Sequence, residues 1–283
     1  MKIGFMGMGF VGGTTAKVLE SVHEIIPYDI DPKKGYLENL LKLKDAEAIF
    51  LSVPTPMMPS GKIDYSPIKN SLETLTEVTQ EMNNKPLVII RSTAVSGTTD
   101  SLEQKYPFDF AFNPEFLREK FALEDMKNTN RIIIGANKEE CGKKVEDIYK
   151  PIFPNANYIH LTTKEAEMVK YMANVMLTLQ IAAANEFYQI CKSMNIDYNT
   201  IKNAVLLDER IGRNLNVPGH DGDLGFGGKC FPKDLNALIY LARENNYRPY
   251  FLEEAWRLNE RLRKNKDWLE IKGAISENCD FKK

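Results

Sequence analysis

The chain has 283 residues, of which 43% are hydrophobic and 27% are charged. This composition excludes a disordered tail, a collagen-like fibre and a disulfide-rich mini-protein. The length predicts two domains, or one domain with a large helical extension. Lysine and arginine number 37 against 39 acidic residues, for a net charge of −2. Because no global field favours nucleic acid or an anionic membrane, the expected partner is a small molecule.

The cysteines and the chain start bear on the cellular compartment. Cys141, Cys191, Cys230 and Cys279 include no C-x-x-C pair, which argues against a zinc site and a disulfide framework. The chain opens without a secretory pattern and has no uninterrupted apolar run approaching about 18 residues. We therefore predict a cytoplasmic protein without a metal site or a membrane anchor.

The first half of the chain alternates short apolar runs with amphipathic ones, as in βαβ units around a parallel sheet. The predicted strands are residues 2–6, 24–29, 48–53, 87–92, 108–112 and 131–135. The clearest helical periodicity between them covers residues 11–21, 68–82 and 139–149.

The pattern changes near residue 162, where one helix of some 30 residues without Pro or Gly begins. Beyond it the sequence predicts helices at 198–207, 232–244 and 249–266, with a glycine-rich loop at 212–228. The fold class is thus α/β, with a Rossmann-type parallel sheet over residues 1–161. A helical domain with a long central helix follows over residues 162–283.

A glycine pattern lies between the first predicted strand and helix. Gly7, Gly9 and Gly12 form G-x-G-x-x-G, in which glycines allow a tight turn, backbone approach to a pyrophosphate and close helix packing. Asp29, 17 positions after Gly12, ends the next strand, where a carboxylate can accept both ribose hydroxyls of NAD. NAD is the predicted cofactor. One alternative is a glycine turn that serves packing alone. Lys34 could contact the phosphate of NADP, so the choice between NAD and NADP is also open.

Cys230 precedes a predicted helix start in the stretch that follows the glycine-rich loop. Pro232 suits the first helical turn, so Cys230 lies near the positive end of the helix dipole, between Lys229 and Lys233. These influences favour the thiolate and indicate a nucleophile for a carbonyl substrate. A buried, inert cysteine is the alternative.

Two further clusters carry polar side chains at helical spacing. Glu167, Lys170 and Asn174 share one face of the long helix, and the last two could stabilise an oxyanion. Glu115 and Glu119 bracket an apolar turn after a strand, where a partly buried acid could act as a general base. A solvated salt-bridge face is the alternative for the helical cluster.

Taken in order, these motifs resemble the UDP-glucose/GDP-mannose dehydrogenase family. The matching segments are residues 7–12, 53–56, 92–93, 97–99, 114–119, 167–174, 208–212 and 225–234. The catalytic residues that the resemblance implies are Cys230 as nucleophile, Asp234 as the acid that manages the substrate proton, Lys170 and Asn174 as the oxyanion pair, Glu119 as hydrolytic base and Thr93 as the residue that positions a water.

The resemblance also implies two sets of binding residues. Those for the cofactor are Gly7, Gly9, Phe10, Val11, Gly12, Asp29, Lys34, Thr55 and Thr93. Those for the substrate are Glu115, Phe116, Leu117, Lys170, Asn174, Arg210, Gly227 and Lys233. Arg210 would reach the substrate across the interface of a homodimer formed by the long helix.

The implied reaction is the NAD-dependent four-electron oxidation of the C6 hydroxyl of a nucleotide sugar, UDP-glucose to UDP-glucuronate, in polysaccharide biosynthesis. It would pass through a thiohemiacetal and a thioester on Cys230. Oxidation of GDP-mannose or UDP-N-acetylmannosamine remains open. So do a catalytically silent NAD-binding subunit and a two-electron hydroxyacid dehydrogenase, which would not need the cysteine.

The sequence departs from the family pattern at four places. Lys120 stands where glycine is usual, and Asn130 stands where proline is common. The segment at 213–224 is longer than in many relatives, which could reshape the sugar pocket. Relatives normally continue into a UDP-binding domain, whereas this sequence stops soon after residue 266, so we expect that domain to be lacking and the mode of nucleotide binding stays open.

Overall fold

The computed structural model describes residues 1–277, so Cys279 lies outside the described chain. The chain forms two compact units. The first comprises Met1–Thr55 and Tyr65–Lys170, and the second comprises Pro56–Asp64 and the described residues from Tyr171 onward. The assignment of an NAD-binding domain to residues 1–161 and a helical domain to residues 162–283 stays a prediction.

The first unit is built on a seven-stranded sheet. Its strands are β1 (Lys2–Met6), β2 (Glu24–Tyr28), β3 (Ala48–Leu51), β4 (Leu87–Ile90), β5 (Phe110–Phe112), β6 (Arg131–Gly135) and β7 (Asn157–Leu161). The order is β2-β1-β3-β4-β5-β6-β7. Because the chain moves outward from β1 in both directions, the carboxyl ends of β1 and β3 form a topological switch point, where such sheets bind ligands.

The sheet confirms the six predicted strands and corrects the prediction at one edge. Strands β1 to β5 are parallel, but β6 pairs with β5 in antiparallel fashion. Strand β7, which the sequence analysis missed, runs parallel to β6. Its side chains are exposed or half-buried, so the edge strand lacks the apolar run that marks the central strands.

Helices cover both faces of this sheet. The helices of the first unit are α1 (Phe10–Leu19), α2 (Ser66–Val78), α3 (Thr98–Glu103), α4 (Ala122–Lys127) and α5 (Glu139–Tyr149). Successive side chains of β3 point to opposite faces of the sheet, and each face has its own hydrophobic core. Ala48 and Phe50 pack with α1, α4 and α5, whereas Ile49 and Leu51 pack with α2 and the 3₁₀ segment Leu37–Asp45. The sequence analysis did not predict this segment, α3 or α4, which are short or weakly periodic.

The long helix α6 (Thr163–Ser193) confirms the prediction of one unbroken element. It begins at a capping box, in which Thr162 and Glu165 exchange side-chain to backbone hydrogen bonds of 2.8 and 3.3 Å. No helix in residues 1–277 has both the length and the apolar character needed to cross a bilayer.

Three helices follow in the second unit: α7 (Tyr198–Val205), α8 (Phe231–Glu244) and α9 (Tyr250–Leu262). Its main core joins Val175, Leu235, Ile239 and Ala255 from α6, α8 and α9 with Phe226 from the glycine-rich loop. Helix α9 ends at Leu262 rather than at the predicted residue 266. The chain then enters a 3₁₀ turn at Asp267–Leu269.

Candidate active site

The glycines of the G-x-G-x-x-G turn have separate physical roles. Gly7 has a φ of +94°, and an added Cβ would lie 2.4 Å from the carbonyl oxygen of Ser52. A Cβ on Gly12 would lie 2.0 Å from the Gly7 oxygen, whereas one on Gly9 would meet nothing within 4 Å. Gly7 and Gly12 are therefore required for backbone packing. Gly9 leaves open space at the start of α1, which fits the approach of a pyrophosphate.

Helix α1 begins immediately after Gly9, and its first regular hydrogen bond joins Gly13 N–H to the Gly9 oxygen. The N–H groups of Phe10 and Val11 precede this bond and have no acceptor within the helix. Because these groups lie at the positive end of the helix dipole, they suit an anion. The roles of Phe10 and Val11 in holding the cofactor stay a prediction.

Asp29 lies directly after β2, at the carboxyl edge of the sheet. Its carboxylate accepts hydrogen bonds from Met8 N–H at 2.7 Å, Asp31 N–H at 2.9 Å and Lys34 Nζ at 2.6 Å. Burial acts to raise the pKa of Asp29, but these hydrogen bonds outweigh it and the pKa is lowered. The group is held ionised beside the glycine turn, as an acceptor for ribose hydroxyls must be. These residues fit NAD.

The loops after β3 and β4 are joined by Ser92. Its hydroxyl accepts from Val53 N–H at 2.9 Å and donates to the Val53 oxygen at 2.7 Å. Thr55 and Thr93, the predicted cofactor residues on these loops, are buried and half-buried respectively. Both follow strands next to the switch point, and their contact with the cofactor stays a prediction.

Lys170 and Glu115, both predicted for the substrate site, form a buried ion pair. Lys170 Nζ donates to Glu115 Oε1 at 3.0 Å and to the Glu115 carbonyl oxygen at 2.5 Å. The other carboxylate oxygen of Glu115 accepts Leu117 N–H at 2.7 Å. The ring of Phe116 has Lys170 Nζ at 5.4 Å and the guanidinium of Arg131 at 4.7 Å from its centroid. The segment after β5 is thus fixed around a buried ammonium group.

Glu119 differs from its predicted setting. It begins a 3₁₀ turn at Glu119–Phe121 and is exposed, whereas the sequence analysis considered a partly buried acid. Its carboxylate makes no hydrogen bond or ion pair with another residue of the described chain. The neighbouring Arg118 instead pairs with Asp125 at 2.6 Å.

Glu167 is fully buried in the first unit and holds the loop between β4 and α3. One carboxylate oxygen accepts Gly97 N–H at 2.6 Å, and the other accepts Thr99 N–H at 2.8 Å and the Thr99 hydroxyl at 2.6 Å. Burial raises the pKa of Glu167 to about 7, against the lowering effect of these hydrogen bonds. The sequence analysis placed Glu167 on the right helical face but assigned it no role.

In the second unit, Cys230 occupies the predicted place at the start of a helix. It is the N-cap of α8, with Pro232 in the first turn, and it is exposed. Cys141 and Cys191 are buried, and burial raises the pKa of Cys141 to about 11. Of the cysteines in residues 1–277, Cys230 therefore has the surroundings of an accessible nucleophile.

Asp234 lies one turn into α8 and is buried with two of the predicted residues. Asn174 Nδ2 donates to one carboxylate oxygen at 2.6 Å, and Lys233 Nζ donates to the other at 2.5 Å. All three side chains are at least nine-tenths buried. A carboxylate held between an amide and an ammonium group is fixed in position, as proton handling requires.

The remaining predicted residues lie on loops of the second unit. The side chain of Arg210 is exposed and pairs with Asp208 at 2.6 Å. Gly227 lies in the loop before Cys230, where Asn259 and Asp267 contact its neighbours. Neither Asn259 nor Asp267 is among the residues predicted from the sequence. An asparagine on the apolar face of α9 was the available signal for Asn259, since buried amides need partners.

Among residues 1–277, no three His, Cys, Asp or Glu side chains are grouped so that they could hold a metal ion. The sheet order, the glycine turn and the carboxylate after β2 define a Rossmann-type, NAD-binding protein.

Comparison with known proteins gives the family. Residues 37–153 match the NAD binding domain of the UDP-glucose/GDP-mannose dehydrogenase family, and residues 164–261 match its central domain. The chain belongs to this family, and NAD is its cofactor.

Individual relatives agree with this assignment. The chain is 30% identical to the UDP-glucose 6-dehydrogenase AglM of Haloferax volcanii, over 92% of this chain and 70% of that protein. It is 33% identical to TuaD of Bacillus subtilis, over 78% of this chain and 48% of that protein.

Solved structures agree as well. A UDP-glucose dehydrogenase from Pyrobaculum islandicum matches with a TM-score of 0.81 and 30% identity, over 92% of this chain and 68% of that one. A GDP-mannose dehydrogenase from Pseudomonas aeruginosa matches with a TM-score of 0.67 and 26% identity, over 93% and 69%. The matches thus cover nearly all of this chain and about two thirds of the solved chains.

Replacing Asp29 tests the carboxylate at the cofactor end. In Asp29→Ser we expect the dissociation constant of NADH to rise about 10- to 100-fold, because hydrogen bonds to a charged group contribute about 1.5–3 kcal/mol. Fluorescence titration measures this constant. Asp31→Asn, which changes a neighbouring acid that caps a 3₁₀ turn, should stay near the wild-type value. An unchanged affinity in Asp29→Ser would contradict the assignment.

The raised pKa of Glu167 predicts a pH-dependent stability. The folded chain binds this proton more tightly than the unfolded chain, so unfolding releases it between pH 4.5 and about 7. The contribution is fully present below pH 4.5 and lost by about pH 7. The free energy of unfolding should therefore fall by up to about 3 kcal/mol over this range.

Urea unfolding of Glu167→Gln at several pH values measures this effect. The variant should lack the decline, since glutamine does not titrate. Glu165→Gln, at an exposed position on the same helix, should retain it. A decline of equal size in Glu167→Gln would show that another group is responsible.

Proposed function

We propose that this chain oxidises the C6 hydroxyl of a nucleotide sugar to the carboxylate, with UDP-glucose as the substrate. The observation that carries the proposal is the exposed Cys230 at the start of α8, one turn before the buried Asp234. A cysteine of this kind has no use in a two-electron alcohol oxidation, but it can retain an aldehyde as a covalent adduct. The names of the relatives support the choice of UDP-glucose.

Bound NAD supplies the oxidising power, with two molecules each accepting one hydride per sugar. Overall, one alcohol, one water and two NAD⁺ give one carboxylate, two NADH and three protons. The Cys230 sulfur adds to the aldehyde carbon to form a thiohemiacetal. Loss of a hydride and a proton then leaves a thioester, and attack by water breaks the carbon–sulfur bond and returns the thiol.

The polar residues have separate roles in this scheme. Lys170 and Asn174 stabilise the oxyanion that develops on the oxygen bonded to the sugar C6, and each is already fixed by a buried carboxylate, Glu115 or Asp234. Such preorganised groups need little rearrangement when charge develops. Asp234 manages the substrate proton. Glu119, which is exposed, is the base for the water that attacks the thioester, and Thr93 positions a water.

The proposal predicts a definite stoichiometry. Purified protein with UDP-glucose and excess NAD should form two NADH per sugar, measured by absorbance, with UDP-glucuronate as the product. Cys230→Ser should form no acid, because the un-ionised serine hydroxyl is a much weaker nucleophile than a thiolate and would not capture the aldehyde. Cys191→Ala, at a buried thiol, is the control and should keep the stoichiometry.

Other outcomes of this experiment separate the alternatives. Turnover of GDP-mannose or UDP-N-acetylmannosamine, but not of UDP-glucose, would support the same reaction with a different substrate. One NADH per substrate with an active Cys230→Ser variant would indicate a two-electron dehydrogenase. NADH binding without turnover of any nucleotide sugar would indicate a silent NAD-binding subunit and overturn the proposal.

We also propose that the protein is a cytoplasmic homodimer that acts in polysaccharide biosynthesis and associates through α6. The support is a set of exposed apolar side chains at helical spacing, since large exposed apolar patches mark interfaces. They include Met172 and Phe187, which are 60% and 63% exposed, together with Met176 and Ile190. Arg210, whose side chain is exposed, would contact the substrate of the partner subunit.

Charge substitution on α6 tests the dimer. We expect wild-type protein at micromolar concentration to sediment as a dimer and Phe187→Glu to sediment as a monomer, because a buried charge opposes association. Leu41→Glu, at a 66% exposed leucine outside α6, is the control and should remain dimeric. A monomeric wild type, or a dimeric Phe187→Glu, would contradict the interface.

A further inference from the structure

The loop that precedes Cys230 is held by side chains from outside it. Gly225 N–H donates to Asn185 Oδ1 of α6 at 2.8 Å. Phe226 N–H donates to Asn259 Oδ1 at 2.7 Å, and Asn259 Nδ2 donates back to the Phe226 oxygen at 3.0 Å. The Asn259 amide therefore satisfies both backbone groups of one residue, as a neighbouring β-strand would.

A second contact fixes the end of the loop next to the cysteine. Gly228 N–H lies 3.1 Å from each carboxylate oxygen of Asp267. Cys230, the N-cap of α8, follows two residues later. Any movement of the Gly228 backbone would therefore also move the Cys230 sulfur relative to a bound substrate.

Glycine is required in this loop because these side chains lie so close to its backbone. A Cβ on Gly225 would lie 2.2 Å from Asn259 Oδ1, and one on Gly227 would lie 2.4 Å from Asp267 Oδ1. Gly225 and Gly228 also have φ values of +71° and +76°, which favour glycine. The glycines and the two polar side chains thus form one arrangement.

Arg263 holds this arrangement together through charge. Its buried guanidinium pairs with Asp267 at 3.2 Å and with Asp221 at 2.6 Å. Asp223, in the same segment as Asp221, accepts the backbone N–H groups of residues 264 and 265 at 3.0 and 2.7 Å. The end of α9 is therefore attached both to the loop and to the segment before it.

We propose that Asn259 and Asp267 are positioning residues for Cys230. They fix the backbone of Gly225–Gly228, and this backbone fixes the position of the Cys230 thiol at the start of α8. The proposal rests on the proposed role of Cys230 as the nucleophile. Neither residue touches the reacting atoms; each acts through the loop. Because small displacements of a reacting group can lower a rate by up to about 100-fold, the effect should be visible in kcat.

Asn259→Ala tests the proposal in the full chain. We expect kcat with the nucleotide sugar to fall by about 10-fold or more. The dissociation constant of NADH should stay within about twofold, since the cofactor groups lie in the first unit. Hydrogen exchange of the Phe226 and Gly228 amides should become faster, while the amides of α8 stay protected. Asn245→Ala, at an exposed asparagine that bonds the end of α8, should leave all three measurements unchanged.

Two variants of Asp267 distinguish a positioning role from a loss of folding. Asp267→Asn keeps an oxygen that can accept Gly228 N–H, so it should retain more of kcat than Asp267→Ala at equal thermal stability. If Asn259→Ala does not fold, this pair still tests the proposal. Equal kcat for the two Asp267 variants, or unchanged kcat in a folded Asn259→Ala with fast amide exchange, would overturn it.

The rate of Cys230 alkylation by iodoacetamide makes the test independent of the substrate. We expect Asn259→Ala to change this rate constant by about threefold or more, since the loop sets the environment of the sulfur. An unchanged rate constant would overturn the positioning role even if the nucleotide-sugar reaction stands. Conversely, full turnover by Cys230→Ser would overturn the nucleophile and leave the loop contacts intact.

Discussion

The structure around the candidate residues depends on the need of buried polar groups for partners. Helix α6 buries a row of polar side chains that includes Glu167, Lys170, Asn174 and Asn185. An unpaired amide in an apolar environment costs several kcal/mol, and an unpaired charge costs more. Each of these side chains has its partner on a loop or helix of its own unit. The positions of those elements therefore follow from the sequence of one helix.

The partners show how the two units are organised. In the first unit, Glu167 fixes the loop before α3 and Lys170 fixes the segment that begins at Glu115. In the second unit, Asn174 binds Asp234 and Asn185 binds Gly225. Removal of one partner would leave a buried group unsatisfied, which costs more than the net stability of the bond. Because an unsatisfied group costs more than its hydrogen bond contributes, these partners hold each loop in one specific conformation.

Much of this could be predicted from the sequence where the signal is local. The apolar runs locate the central strands, and the bounds of β1 and β6 agree with the prediction. The turn at Gly7 and the acid at Asp29 could be recognised because strand, turn and helix occur in order. Strand β7 could not, since its exposed and half-buried residues lack the apolar run of the central strands. The antiparallel pairing of β5 and β6 also leaves no local mark, because strand direction depends on how the chain returns to the sheet.

The contacts of the cysteine loop escaped prediction for a different reason. Arg263 and Asp267 lie just beyond Leu262, where α9 ends, and charged residues at a helix end are usually exposed to solvent. The contacts of Asn259, Arg263 and Asp267 depend on long-range packing against a loop more than 30 residues earlier, which their spacing along the chain does not encode. The glycines of that loop do carry a signal, since they indicate that some group approaches the backbone closely. Only the structure shows that the group is an amide and a carboxylate of the same unit.

The segment at 213–224 takes part in the same contacts. Asp221 and Asp223 lie in it, and both bind the end of α9. The Arg263 guanidinium is buried, so its charge requires carboxylates on more than one side. Asp221 supplies one and Asp267, which accepts Gly228 N–H, supplies the other. The segment at 213–224 is thereby connected through one buried arginine to the loop of the proposed nucleophile.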